Sequence, residues 1–471
     1  MLASILGVSL PPTLALILTL GFIFFLLRRD FREHPNVTWA IWLPIIWFFL
    51  SASKPISAWL NILGLPITGA VSLEEGSPLD ACVYLSLIVA GCYVLSQRRI
   101  NLGEIIQNNA WLTAFFIYCF LAVVWSDFPL VSFKRWIKVL GHPIMVLILF
   151  TEPNFEEAFA TVMKRAAYVL VPVSILFIKY YPQWGRRFDP YTGEAMNIGI
   201  APSKNMLGAI CFLLGLFFFW YLLRTFQREK SKSRKRELIT IVFFLLAIGY
   251  LLQKAHSVTS TLSLLVSILV FVILGLRLVD KRVIGIYAAV GIVLFVIAQL
   301  TFDVFGYIVE LSGHNATIEG RRQLWQELLH MNINPLIGTG FESFWLGERL
   351  QKLWDEHWWH PNEAHNGYLE TYLNLGLIGL LMLIGLILAT FRKCRLDLLR
   401  NPLWGRFGIG FLVAIVIYNW TEASFKALSP LWFAFYVIAI RYRDAAATSA
   451  RYLEGNSGLE QESASVEAAR I

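Results

Sequence analysis

The sequence predicts an all-α fold: a polytopic bundle of about 12 to 14 transmembrane helices with a large extracytoplasmic loop containing amphipathic helices. Three observations lead there. Hydrophobic residues make up 57% of the 471 and charged residues only 15%, with a mean hydropathy of +0.60, more apolar side chain than one soluble core can hide. Apolar runs recur at or near the length that crosses roughly 30 Å of hydrocarbon. Lysine and arginine accumulate in alternate connections, as they do in short cytoplasmic loops.

In order, the expected spans lie near residues 9–27, 37–53, 79–96, 110–125, 136–150, 166–180, 206–223, 238–253, 257–276, 283–300, 374–391, 407–420 and 429–440. They divide the chain into N-terminal transmembrane helices (1–300), an extracytoplasmic catalytic loop (301–373), C-terminal transmembrane helices (374–443) and a polar, disordered cytoplasmic tail (444–471). The basic stretches RRDFRE (28–33), SQRRI (96–100), RTFQREKSKSRKRE (224–237), RLVDKR (277–282), RKCRLDLLR (392–400) and RYRD (441–444) then share the cytoplasmic side. The loop 181–204 and the segment 301–373 face the other side. The N-terminal run has no basic leader and no small-residue cleavage signal before Arg28, so it reads as a first span.

The net charge of +8 follows from those basic loops and calls for no nucleic-acid partner; the run 224–236 reads as a topology signal that also meets anionic lipids. Cys82, Cys92, Cys119, Cys211 and Cys394 show no CxxC spacing, so neither a disulfide framework nor a thiolate metal site is indicated. A transporter would place charge at mid-membrane depth in paired, broken spans, whereas these spans are mostly clean and the charge gathers on one face.

The informative cations break the positive-inside pattern. Lys134, Arg135, Lys179, Arg186, Arg187, Lys204, Lys254, Arg321 and Arg322 all fall at or near the side that should be poor in them. Singly, each can snorkel or pair with a carboxylate. Together they suggest an anion held at the outer boundary, and a phosphate suits the planar, always-charged fork of arginine.

Within the outer segment, TIEGRRQLWQELLHMNINPLIGTG spaces Leu324, Trp325, Leu328 and Leu329 as a helix does, after Gly320 as a breaker and before an Asn334-Pro335 turn. It predicts an amphipathic helix lying over the bundle, with Arg321 and Arg322 at its beginning. Next comes WDEHWWHPNEAHNGYLE, whose tryptophans suit the interfacial aromatic belt. His357, His360 and His365 invite a zinc reading, but their spacing is not HExxH and Pro361 keeps them off one helix. His365 differs in standing just ahead of the span 374–391, with Asn366 or Thr371 available as a cap. There a neutral imidazole can take a proton from an alcohol near pH 7, and a structural histidine is an equal alternative.

Four stretches follow one another through the middle and C-terminal two-thirds of the chain: WSDFPLVSFKRWIKVLG (125–141), GEAMNIGIAPSKNMLG (193–208), EGRRQLWQELLHMNINPLIGTGFESF (319–344) and AHNGYLETYLNLGLIG (364–379). The GR-x2-LW helix, then NPL-x-G-x-G, then HN-x2-L-x6-G, form a specific combination. This series resembles the O-antigen ligase and O-antigen or exopolysaccharide polymerase family, bacterial polytopic membrane glycosyltransferases that use polyprenyl-pyrophosphate donors. The resemblance implies an inner-membrane enzyme with its active site facing the periplasm.

It maps the family's essential histidine onto His365 and its pyrophosphate-binding arginines onto Arg321 and onto Arg186 or Arg187. Relatives bring an arginine closer to the KN-x2-G element, so the choice among Arg186, Arg187 and Lys204 stays open; Arg135 and Arg322 are further candidates. The implied chemistry needs no metal and no cofactor. His365 deprotonates a sugar hydroxyl, arginines stabilise the departing pyrophosphate, and the anomeric centre inverts. The implied partners are a lipid-linked oligosaccharide donor, a saccharide or lipid A core acceptor, membrane lipids, and a chain-length or export protein. The stretch FPLVSFKRWIKVLGHP looks more like an exopolysaccharide polymerase than a lipopolysaccharide ligase.

Overall fold

The computed structural model describes residues 10–33, 37–65, 76–98, 100–188, 193, 195–302 and 315–442. The predicted tail (444–471) lies outside them. In chain order the helices are α1 (Pro12–Glu33), α2 (Trp42–Ala52), α3 (Ile56–Ile62), α4 (Pro78–Gln97), α5 (Leu102–Asn108), α6 (Ala110–Leu121), α7 (Pro129–Phe150), α8 (Phe155–Tyr180), α9 (Lys204–Phe226), α10 (Lys232–Ala255), α11 (Val258–Ile273), α12 (Ile284–Phe302), α13 (Asn315–His330), α14 (Gly347–Glu356), α15 (Gly367–Arg400), α16 (Pro402–Tyr418) and α17 (Pro430–Ala439). Every expected span coincides with a helix, and the protein is an all-α polytopic bundle. The loop before α9 adds a short antiparallel ribbon of β1 (Arg186–Phe188) and β2 (Ala195–Asn197), in which Arg187 pairs with Met196.

Five described helices are long and apolar enough to cross a membrane, or six if the pair around Ser53 to Pro55, bent by 74°, counts as one span. That is fewer than the expected spans, for local reasons. α6, α11, α16 and α17 are apolar but only 10–17 residues long. Proline opens both α16 and α17, and α16 is further bounded by its cap Asn401 and by Asn419. α7 carries Lys134, Arg135 and Lys138 in its first half, which leaves a shorter clean stretch.

Burial separates the middle of the bundle from its lipid side. In α8 and α9, 83% and 78% of the most apolar stretch is buried, against 28% in α4. A charged knot ties α1, α8 and α10: Lys164 lies 2.8 Å from Asp30 and 3.3 Å from Glu237, Arg165 is 2.7 Å from Asp30, and Arg29 is 3.0 Å from Glu237. Each of these buried charges has its counter-ion, without which burial would be strongly destabilising.

The segment expected to face outward has its own small core of Leu324, Leu328, Phe344, Leu353, Ala364 and Leu373. α13 is the expected amphipathic helix, but it starts at Asn315, not after Gly320. Helix propensity on both sides overrides a single glycine, whose deficit is only about 1 kcal/mol. Arg321 therefore stands beyond the first turn, where the N-terminal backbone donors no longer reach. Leu329, expected on the buried stripe, is exposed.

Candidate active site

α15 is two helices joined at Gly376, whose φ of +65° and ψ of −166° interrupt the helical ladder. The freed groups are met by the NPLIGTG loop: the amides of Leu377 and Ile378 donate to the carbonyls of Pro335 (2.9 Å) and Leu336 (3.1 Å), and those of Thr339 and Gly340 donate to Leu373 (3.1 Å) and Asn374 (2.9 Å). The two backbones approach so closely that a Cβ on Gly376 would lie 2.2 Å from the Leu336 carbonyl carbon, and one on Gly338 would lie 2.5 Å from that of Asn374. Thus the NPL-x-G-x-G and HN-x2-L-x6-G motifs are two halves of one backbone joint. Trp125, from the first motif, donates to the Ile337 carbonyl at 3.1 Å and closes it.

The joint fixes the first turn of α15. Asn366 caps it, its side chain accepting from the amides of Tyr368 and Leu369 at 3.0 Å each. Just before the cap, Ala364 donates to Glu370 Oε2 (3.0 Å) and accepts from Trp325 of α13 (2.7 Å). His365 follows in the left-handed region, φ +49°, a conformation that costs a non-glycine residue about 1 kcal/mol or more and must be held by its surroundings.

His365 Nδ1 lies 2.9 Å from Glu363 Oε1 and 3.6 Å from Glu422 Oε2, within ion-pairing range but with no well-aligned hydrogen bond. Lys426 pairs with the other oxygen of Glu363. Arg321 spreads its fork over two acceptors, the Thr421 carbonyl and Glu422 Oε1 (3.1 Å). Asn205, beside Lys204 at the start of α9, donates to both oxygens of Glu422, at 2.9 and 3.0 Å.

Burial alone would lower the imidazole of His365, but the Glu363 carboxylate beside it raises it to about 9. Burial would likewise favour neutral carboxyls, yet Lys426 and His365 hold Glu363 well below the usual range, and Arg321 lowers Glu422. Burial opposes the charge on Lys426 too, and Glu363 overcomes it, lifting the ammonium to about 12. Three cations (Arg321, His365, Lys426) against two carboxylates (Glu363, Glu422) leave one net positive charge near neutral pH.

The cluster borders a cavity of about 890 Å³ lined in part by Arg135, Asn205, Glu342, Glu363, Glu422 and Lys426. Arg135 reaches it from α7 and donates to the carbonyl of Glu342, itself left-handed at φ +47°. Of the predicted phosphate ligands, Arg321 joins the cluster and Arg135 the cavity wall. Lys204 is represented in the cluster by its neighbour Asn205. Arg186 turns back to the Ile178 carbonyl (3.1 and 2.9 Å), Arg187 is exposed on β1, and Arg322 is exposed on α13.

The three clustered histidines part company. His357 Nε2 meets Glu327 at 2.5 Å, and His360 stacks on Trp354 with ring centroids 4.9 Å apart. The spacing a metal could bridge is instead Glu363, His365 and Glu422, whose ligand atoms lie within 4.8 Å of one another. Glu422, Lys426 and Asn205 were not singled out from sequence. The signal for Glu422 and Lys426 was a glutamate and a lysine in WTEASFKALSP, a polar break between two apolar runs, and that for Asn205 was its place in the KN-x2-G element.

Fold and site together define a multi-pass helical membrane protein with a cation–carboxylate cluster bordering a large cavity. Residues 241–384 match the model of the O-antigen ligase family. Over 313 residues the chain is 26% identical to the exopolysaccharide production protein ExoQ of Rhizobium meliloti (strain 1021), covering 63% of this chain and 68% of that protein. The two matches support the O-antigen ligase and polymerase family that the four motifs resemble.

Proposed function

We propose that the chain is an inverting, metal-independent membrane glycosyltransferase that polymerises polyprenyl-pyrophosphate-linked glycan repeat units for a surface polysaccharide. It would work in the bacterial inner membrane, with the cavity open to the periplasm. The carrying observation is that Arg321, by a hydrogen bond, and His365, within ion-pairing range, meet at one carboxylate, Glu422, at the cavity edge. In this reading the acceptor hydroxyl oxygen attacks the anomeric carbon as its proton passes to neutral His365, and the bond to the pyrophosphate breaks with its electron pair. Arg321, with Arg135 on the cavity wall, stabilises the growing negative charge more in the transition state than before it.

Metal independence draws support from the donor set. An ion at Glu363, His365 and Glu422 would have to displace Lys426, Arg321 and a proton, three positive charges already neutralising those carboxylates. With His365 near 9, the neutral form at pH 7 is about 1% of the total, so His365 acts as a base through a minor population.

Polymerisation is favoured over ligation to lipid A core by the likeness to an exopolysaccharide production protein. The test is the product formed by the purified chain in proteoliposomes from a lipid-linked repeat, with and without lipid A core. Longer lipid-linked chains support the polymerase, and core-attached glycan supports a ligase.

A further inference from the structure

The cavity has polar groups that the His365 cluster does not use. Glu342 is tied by its carbonyl to Arg135 and by Oε1 to the Ala427 amide (3.1 Å), while Oε2 makes no hydrogen bond among the described residues. Lys138 lies one turn after Arg135 on α7, lines the same cavity, and its ammonium likewise has no hydrogen bond or ion pair among the described residues. Three tryptophans, Trp345, Trp354 and Trp432, also line the cavity, and the first two are pinned by hydrogen bonds. Trp345 is fixed through its N–H to Glu370 (2.7 Å), and Trp354 through its N–H to the Pro361 carbonyl (2.9 Å).

We propose that Trp345, Trp354, Glu342 and Lys138 form a saccharide subsite that takes the acceptor glycan, an inference that rests on the glycosyl-transfer reading. A pyranose ring offers a patch of C–H bonds of slight positive potential, which packs on the electron-rich face of an indole. Indoles already pinned by hydrogen bonds lose little freedom on binding. The unoccupied carboxylate oxygen accepts from sugar hydroxyls and the ammonium donates to hydroxyl or ring oxygens. Glu342 and Lys138 are opposite in sign, so the pair itself adds no net charge to the cavity beside Arg135, which suits a neutral polyol. The left-handed backbone of Glu342 is the kind of local strain that binding sites retain, because the conformation aims the side chain.

The experiment is direct binding, without turnover, of the lipid-free repeat oligosaccharide released by mild acid from the host's lipid-linked intermediate. It is read by saturation-transfer NMR on the full chain in nanodiscs. Wild type should bind through ring C–H protons. Trp354→Ala and Glu342→Gln should each weaken binding about tenfold or more, and Trp354→Phe should retain part of it, with thermal melting confirming that each variant is folded. Trp358→Ala, exposed by 61% and outside the cavity wall, should bind as wild type. Equal binding by wild type and folded Trp354→Ala, or no binding by wild type, overturns the subsite even if polymerisation proceeds. Binding that depends on Trp354 in a protein that transfers no glycan leaves the subsite standing and removes the glycosyltransferase reading instead.

Discussion

The guanidinium of Arg321 donates to Glu422 at 3.1 Å, and Glu422 lies 3.6 Å from Nδ1 of His365. One carboxylate therefore holds the proposed anion ligand and faces the proposed base, which Glu363 approaches more closely at 2.9 Å. Because both Nη atoms of Arg321 are engaged, a point charge cannot replace its fork.

Arg321→Lys should thus transfer glycan about tenfold or more slowly at matched membrane abundance, while Arg322→Lys, exposed on the same helix, stays near wild type. The reverse order would move the anion contact to Arg322. The reason differs from the one the sequence suggests: it is the Glu422 contact, not a helix N-terminus, that holds Arg321.

The rate should depend on pH through His365. Its pKa is raised to about 9, so the proton-accepting form grows with pH, and kcat/KM should climb from pH 7 and level off above about 9. Glu363→Gln should move that limb down toward the ordinary value near 6.5, because the largest raising influence is removed. A rate that falls between pH 7 and 9 would mean that His365 works as a cation. The sign for stability is opposite: a raised folded value contributes stability fully below about 6.5, and that contribution is lost as pH rises through about 9.

Gly376→Ala should destabilise the protein by about 2 kcal/mol or more, since both its φ and the approach of Leu336 exclude a Cβ. Gly249→Ala, within α10 with nothing inside 4 Å of the new Cβ, should be neutral or slightly stabilising. Thermal melting in one detergent compares the two. Equal melting temperatures would mean that the joint between the two motifs yields easily.

These contrasts mark what was legible in the sequence. The helices were, because apolar runs and caps are local; Asn366 caps α15 as its position suggested. The motif glycines could be seen but not their reason, since Gly376 and Leu336 meet across 40 positions of chain. The start of α13 was misread because Gly320 looks like a breaker until its neighbours are counted. Glu422 escaped notice because it is one glutamate in a short loop, and only folding brings it to Arg321, 101 residues earlier. The cations expected on the outer side look alike as residue types, whereas in the fold Arg186 bonds its own chain eight residues back and Arg321 reaches Glu422.

His357 and His360 should matter less than His365. His357→Ala removes a part-buried pair with Glu327 and His360→Ala a stacking partner of Trp354, so each should reduce transfer less than about tenfold, within the range of lost local contacts. Losses equal to that of His365→Ala in both variants would point to a shared histidine site.

The most direct measurement is the turnover of wild type and His365→Ala in the same proteoliposomes, with a lipid-linked repeat as substrate and exhaustive chelation throughout. Wild type should transfer glycan at an unchanged rate in chelator, while folded His365→Ala should still bind donor but turn over at least about 100-fold more slowly. Activity lost to chelation and restored by a divalent metal, or near-normal turnover by His365→Ala, would contradict the account.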